Sequence, residues 1–238
     1  ELDGSQNPEV RALEELKQIA VQLRTSFGDT LLSLLSQLGL KSPVEPGAEQ
    51  TEPFNTSASL FAAIAEHPEG HLLFDRLDQF LDTYGYLSEV ALAQYQQTPL
   101  PTYLNEAQTL AQQALETTDQ VMPKGAALTH TNKVALRYHR GCYFYLLARA
   151  HQPKGQSTKA VEHLERALQN IDPHYDLSLY RQILDRLWNL YYDHQQYAEA
   201  FEIKLKQRRV ENLFGLRAFI GASKIQPASS ASSYAPYE

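Results

Sequence analysis

Histidine and cysteine are the residue types here best suited to metal binding or nucleophilic chemistry, and the chain holds 8 of the first and 1 of the second. His67 and His71 have the i, i+4 interval of a zinc-binding helix, but Pro68 and Gly70 lie between or beside them, so the interval does not define one helical face. His139, His151 and His163 fall singly on at least two helices with no carboxylate partner that spacing identifies, and structural or surface roles are expected for them. No metal site is predicted. Cys142 stands in YHRGCYFYLL, near Arg137, His139 and Arg140, cations that lower a thiol pKa when the group is exposed. Its neighbours Tyr143, Phe144 and Tyr145 predict the opposite, a buried small residue. The chain contains no GxxxxGK[ST], GxGxxG or GxSxG, so neither a phosphate cradle nor a nucleophile elbow has support. No catalytic residues, no cofactor and no enzymatic activity are expected.

The remaining candidates belong to recognition. Lys204, Lys206, Arg208 and Arg209 form a basic cluster on a stretch that also carries Val210, Leu213 and Phe214, and the 14 tyrosines suit an interface with both apolar and polar character. The predicted partner-binding residues are Tyr191, Tyr192, Tyr197, Lys204, Arg208, Arg209, Arg217 and Phe219. The net charge of -7 argues against a general nucleic-acid binder, which needs a positive surface to replace phosphate counterions. No apolar run is long enough to span a bilayer, and the acidic first residues are unlike a signal peptide, so a cytoplasmic protein is expected. A single cysteine fits a reducing compartment. Starting on Glu1 rather than Met suits either a processed chain or a piece of a larger one.

Helices must position these residues. After Pro8, the residues Val10, Leu13, Leu16, Ile19, Ala20 and Leu23 recur at helical intervals, and Gly28-Asp29-Thr30 offers a break before the leucine block Leu31 to Leu38. Residues 1–40 are therefore expected to form a helical hairpin, and the proline-rich residues 41–56 a linker. Residues 57–100 predict a helical region: a helix through Leu60, Phe61, Ile64 and Ala65 stopped by Pro68 and Gly70, then a stronger one from Leu72 interrupted at Tyr84-Gly85-Tyr86. From residue 101 to 227 the pattern is of paired helices, Tyr103 to Glu116, Val134 to His151, Thr158 to Gln169 and Ile183 to His194. A helix from Tyr197, with Tyr197, Ala200, Phe201, Leu205 and Val210 on its apolar face, is expected to stop near Gly215, leaving a docked segment before a flexible tail at 228–238. The fold class is all-α.

Part of this pattern resembles the tetratricopeptide repeat, a helix pair whose second helix carries Ala, an apolar residue and Ala, followed by Pro. The best copy is Phe144, Leu147, Ala148 and His151, then Ala160, Leu164, Ala167 and Pro173; a second offers Leu184, Leu187, Trp188 and Tyr191, then Ala200. The resemblance implies an antiparallel, tetratricopeptide-like array acting as a scaffold for a protein or peptide. Lys206, Gln207, Arg208, Glu211, Gly215 and the run Arg217-Ala218-Phe219-Ile220-Gly221-Ala222 resemble the segment preceding the nucleotide-binding domain of novel STAND signalling NTPases. That resemblance implies a sensor arm coupled to an adjacent ATPase domain, although ASSASSYAPYE rather than a P-loop follows Pro227. FLDTYGYLSEV, from Phe80 to Val90, is similar to a segment of phosphoenolpyruvate-utilising phosphotransferases, without their phosphohistidine or ATP-binding parts.

Overall fold

The computed structural model describes residues 8–37, 70–124 and 128–224, and among these every regular element is a helix. The helices are α1 (Pro8–Gln37), α2 (Gly70–Gln97), α3 (Pro101–Lys124), α4 (His130–His151), α5 (Ser157–Asn170), α6 (Leu177–Asp193) and α7 (Tyr197–Lys224). The expected linker at 41–56, the helix through Leu60 and Ile64, and the tail lie outside the described residues. The chain divides into two compact units, Glu1–Ile183 and Leu184–Glu238.

Residues 8–37 form one continuous helix rather than a hairpin, with Gly28 in its interior. A mid-helix glycine costs about 1 kcal/mol relative to alanine, too little to break a helix held by tertiary contacts along its length. Those contacts run in opposite directions on α1 and α2: Gln94 donates to Glu14 at 2.6 Å, the Arg24 guanidinium lies 5.7 Å from the Tyr84 ring centre, and Gly28 approaches Phe80. Lys17 pairs with Glu106 of α3 at 2.7 Å.

Helix α2 likewise runs through the Tyr84-Gly85-Tyr86 interruption that its sequence suggests. Leu77, Leu81, Tyr84, Ser88 and Ala91 are almost wholly buried along it, because α2 packs against α1, α3 and α4. On α3, Ala107, Ala111 and Ala114 are buried to 1% exposure or less, and such small residues admit close helix approach.

Helix α4 is capped by Thr129, whose hydroxyl accepts from the Asn132 amide at 3.2 Å, satisfying one of the first-turn donors. It ends in a short 3-10 turn, Gln152–Lys154, closed by Gly155 at φ 69°. Every position of the best repeat copy on α4 and α5 is buried: Phe144, Leu147, Ala148 and His151, then Ala160, Leu164 and Ala167. The partners of α4 fix its neighbours' directions. Against α5 they run oppositely, Arg137 to the Gln169 carbonyl at one end and His151 to His163 at the other. Against α2 they run the same way: His139 to Asp78, Tyr143 to the Leu81 carbonyl and Arg149 to Glu89. The start of α6 also runs with α4, since Tyr138 donates to Asp176 at 2.9 Å and Tyr145 to Gln182 at 3.1 Å. Asp176 caps that helix by accepting from the Leu179 amide at 2.9 Å.

In the second unit the packed face of α7 differs from the expected one. Ala200, Gln207 and Val210 are buried, whereas Tyr197 is 58% and Phe201 62% exposed. The buried row includes a polar residue, Gln207, which donates to Asp185 of α6 at 2.7 Å. A count of apolar side chains alone therefore places the stripe about one residue, or 100°, out of phase. The helix also passes through Gly215 to Lys224 instead of stopping there.

Candidate functional site

Because α2, α4 and the start of α6 run in one direction, equivalent faces of all three line a shallow groove. From α2 come Asp82, Tyr86 and Glu89, at i, i+4 and i+7, and from α4 come Tyr138, Cys142 and Tyr145 at the same spacing. Asp176, Leu179 and Gln182 close the third side around a volume of about 310 Å³.

The floor is held by hydrogen bonds. His139, nearly buried, meets Asp78 through Nε2 at 2.7 Å and faces Asp82 through Nδ1 at 3.7 Å. Beside it the Tyr143 hydroxyl donates to the Leu81 carbonyl at 2.7 Å, joining α4 to the α2 backbone below the groove. The Tyr138 hydroxyl is committed to Asp176, and burial pushes its pKa well up. Asp82 is different. Its side chain is 47% exposed, and burial raises its pKa, with Asp78 adding to the rise and His139 opposing it. At the far end the Arg149 guanidinium pairs with Glu89 and lies 5.6 Å from the Tyr145 ring centre.

The cations that sequence places around Cys142 are not what its thiol meets. Burial pushes its pKa up to about 12; the Tyr138 hydrogen bond opposes the rise, while Asp176, Asp82 and Glu89 add to it. Cys142 is therefore a neutral thiol at neutral pH. We expect iodoacetamide at pH 8 to alkylate native Cys142 at least about tenfold more slowly than the urea-unfolded chain, because the thiolate is the reacting species. Equal rates, read by intact mass, would show an exposed thiol of ordinary pKa instead, and a faster native rate an activated one. Among the described residues no three His, Cys, Asp or Glu side chains are placed to hold a metal ion.

The residues predicted to bind a partner lie elsewhere, in the second unit. The structure brings several of them together: Tyr192 stacks on Trp188 at 5.3 Å, Tyr197 meets Tyr192 edge-on at 5.5 Å, and Lys204 lies 5.5 Å from the Trp188 ring centre. Tyr191 is only 7% exposed and belongs to the core. Arg208 and Arg209 are exposed on α7 outside this aromatic group. Arg217 and Phe219 fall in the last turns of α7, where the side chains lie outside the described residues.

Sequence reasoning missed the groove, although its signal was present in the two i, i+4, i+7 rows Asp82-Tyr86-Glu89 and Tyr138-Cys142-Tyr145. Neither row draws notice until the parallel pairing of α2 and α4 sets them side by side. No helix among the described residues is long and apolar enough to cross a membrane. The described residues form an all-α fold with a groove across parallel helices. No family model, curated protein or solved structure matches the chain.

Proposed function

We propose that this chain is a non-enzymatic protein-interaction module, a scaffold or adaptor built from tetratricopeptide-like helix pairs, whose partner segment lies in the groove of α2, α4 and α6. The observation that carries this reading is the direction of those three helices. First helices that run parallel, each with an oppositely directed second helix, are what stacked repeat pairs require, and their shared inner face is where such arrays accept extended peptides. Phe144, Leu147, Ala148 and His151, then Ala160, Leu164 and Ala167, have the spacing of the repeat's large and small positions. The interval between pairs exceeds the usual 34 residues, so the array is irregular.

Gly85 provides the test. It lines the groove from the interior of α2, and a Cβ built there meets nothing within 4 Å. Gly85→Gln therefore fills the groove while improving helix propensity, leaving the fold intact. A random peptide library selected on the wild-type protein should yield binders that lose at least about tenfold in affinity, or about 1.4 kcal/mol, on Gly85→Gln. Hydrogen exchange should show their protection on α2 and α4. Selected peptides that bind both proteins equally, or a defined substrate turned over in this groove, would end the reading.

A further inference from the structure

The lining of the groove is chemically one-sided. Asp82, Glu89 and Asp176 contribute three carboxylates, and no Lys or Arg is among the residues around the cavity. Glu89 already has a cation in Arg149, and Asp176 is engaged by the Tyr138 hydroxyl and the Leu179 amide. Asp82 retains only the distant contact to His139 Nδ1, at 3.7 Å, and stands half-exposed one helical turn from Tyr86, which is 61% exposed. A partly desolvated carboxylate beside an open aromatic face favours a cation, through charge pairing and attraction to the ring. The protein holds one such arrangement already: the Arg149 guanidinium lies against a tyrosine ring, Tyr145, and a carboxylate, Glu89, at the other end of the same groove.

We propose that the groove receives a basic segment of a partner protein, an arginine or lysine side chain entering against the Asp82 carboxylate and the tyrosine rings beside it. This deepens the interaction-module reading and rests on it. Charge selects this occupant. The parts of the chain outside the described residues are not basic: residues 38–69 carry Lys41 against Glu45, Glu49, Glu52, Glu66 and Glu69, and residues 225–238 contain no Lys or Arg. The open groove, with Tyr86 largely exposed, suits a chain segment better than an enclosed small cation.

The experiment uses acetylated, amidated octapeptides that differ only in a central residue, Arg, Lys, Gln or Glu, with binding read by fluorescence anisotropy on the full chain. Arg and Lys peptides should bind about tenfold more tightly than the Gln peptide, with the Glu peptide weakest and the advantage shrinking as salt rises. Asp82→Asn should remove that advantage while leaving the Gln peptide unchanged, and Tyr86→Ala should reduce it. Should Asp82→Asn disturb folding, Gly85→Gln supplies the second variant and should abolish binding of all four. Peptides that bind, lose affinity on Gly85→Gln and show no preference for a cation would overturn this inference while sparing the interaction-module reading. If none of the four, nor any library peptide, is sensitive to Gly85→Gln, both fall. Concentration-dependent self-association that is lost in Asp82→Asn and in a double Arg208→Glu, Arg209→Glu variant would name a second copy as the occupant and overturn the proposal.

Discussion

Gly141→Ala should destabilise the protein by about 1–2 kcal/mol, the net of overpacking against a gain in helix propensity. A Cβ built on Gly141 lies 2.7 Å from Cγ1 of Ile171 and 3.3 Å from Cβ of Asn170, with Ile171 Cδ1 also in conflict. Neither neighbour yields readily. Ile171 is 3% exposed and follows the last turn of α5, its amide donating to the Ala167 carbonyl at 3.0 Å, while the Asn170 side chain donates to the Arg166 carbonyl at 2.8 Å. The control is Gly85, another glycine inside a long helix. Gly85→Ala meets open space and should stabilise by about 0.5–1 kcal/mol, chiefly by reducing unfolded-state freedom. Urea denaturation of the pair reads both signs in one experiment. If Gly141→Ala were as stable as the native chain, α4 and the end of α5 would not be in the close contact described.

Stability should also fall as pH drops from about 6.5 towards 4, and His163 should account for on the order of 1–2 kcal/mol of that fall, discounted for its partial exposure. His163 stacks on His151 at 5.2 Å and on Phe144 at 5.9 Å, and its Nδ1 is buried with no hydrogen-bond partner. Burial is the main cause that lowers its pKa from 6.5 to about 4; His151, Arg166 and Lys159 lower it further, and Glu162 opposes them. His151 is lowered too, first by burial, with the hydrogen bond to Gln156 acting against the shift. The sign follows from linkage. Above the unfolded value neither state holds the proton and the pair costs nothing; between the unfolded and folded values the unfolded chain gains the proton that the stack refuses; below about 4 both states hold it and His163 adds no further slope. Denaturation midpoints measured from pH 7.5 to 4 should therefore decline less steeply in His163→Phe, which keeps the stack on Phe144 without a titrating group. Equal slopes for variant and native chain would remove the histidine pair from the acid response.

Much of the helical framework is legible from residue order. The 3.6-residue recurrence of apolar side chains marks α4 and α5 close to where they occur and the first part of α1 and stretches of α3 and α6, since burying one face of a helix demands that period whatever the helix packs against. The positions that mislead are the glycines. Gly28, Gly85 and Gly215 read as breaks, yet each lies inside a helix; at Gly28 and Gly85 a local preference of about 1 kcal/mol is outweighed by packing against neighbouring helices. Tyr197 and Phe201 mislead for a different reason: the face of α7 that is buried depends on the contact between Gln207 and Asp185, a pairing that no apolar period encodes.

By itself the sequence determined that this is an all-α chain, which residues form the small-residue seams of its helix pairs, and that its charge is acidic, because these are consequences of local periodicity and composition. Only the tertiary structure decided which side chains share the groove. Asp82, Tyr86 and Glu89 become one wall of a groove, and Tyr138, Cys142 and Tyr145 the other, through the parallel alignment of α2 and α4 fixed by Asp78 with His139 and Leu81 with Tyr143. Those contacts join residues far apart in the chain, and their geometry comes from how whole helices pack, which the period of a single helix does not contain.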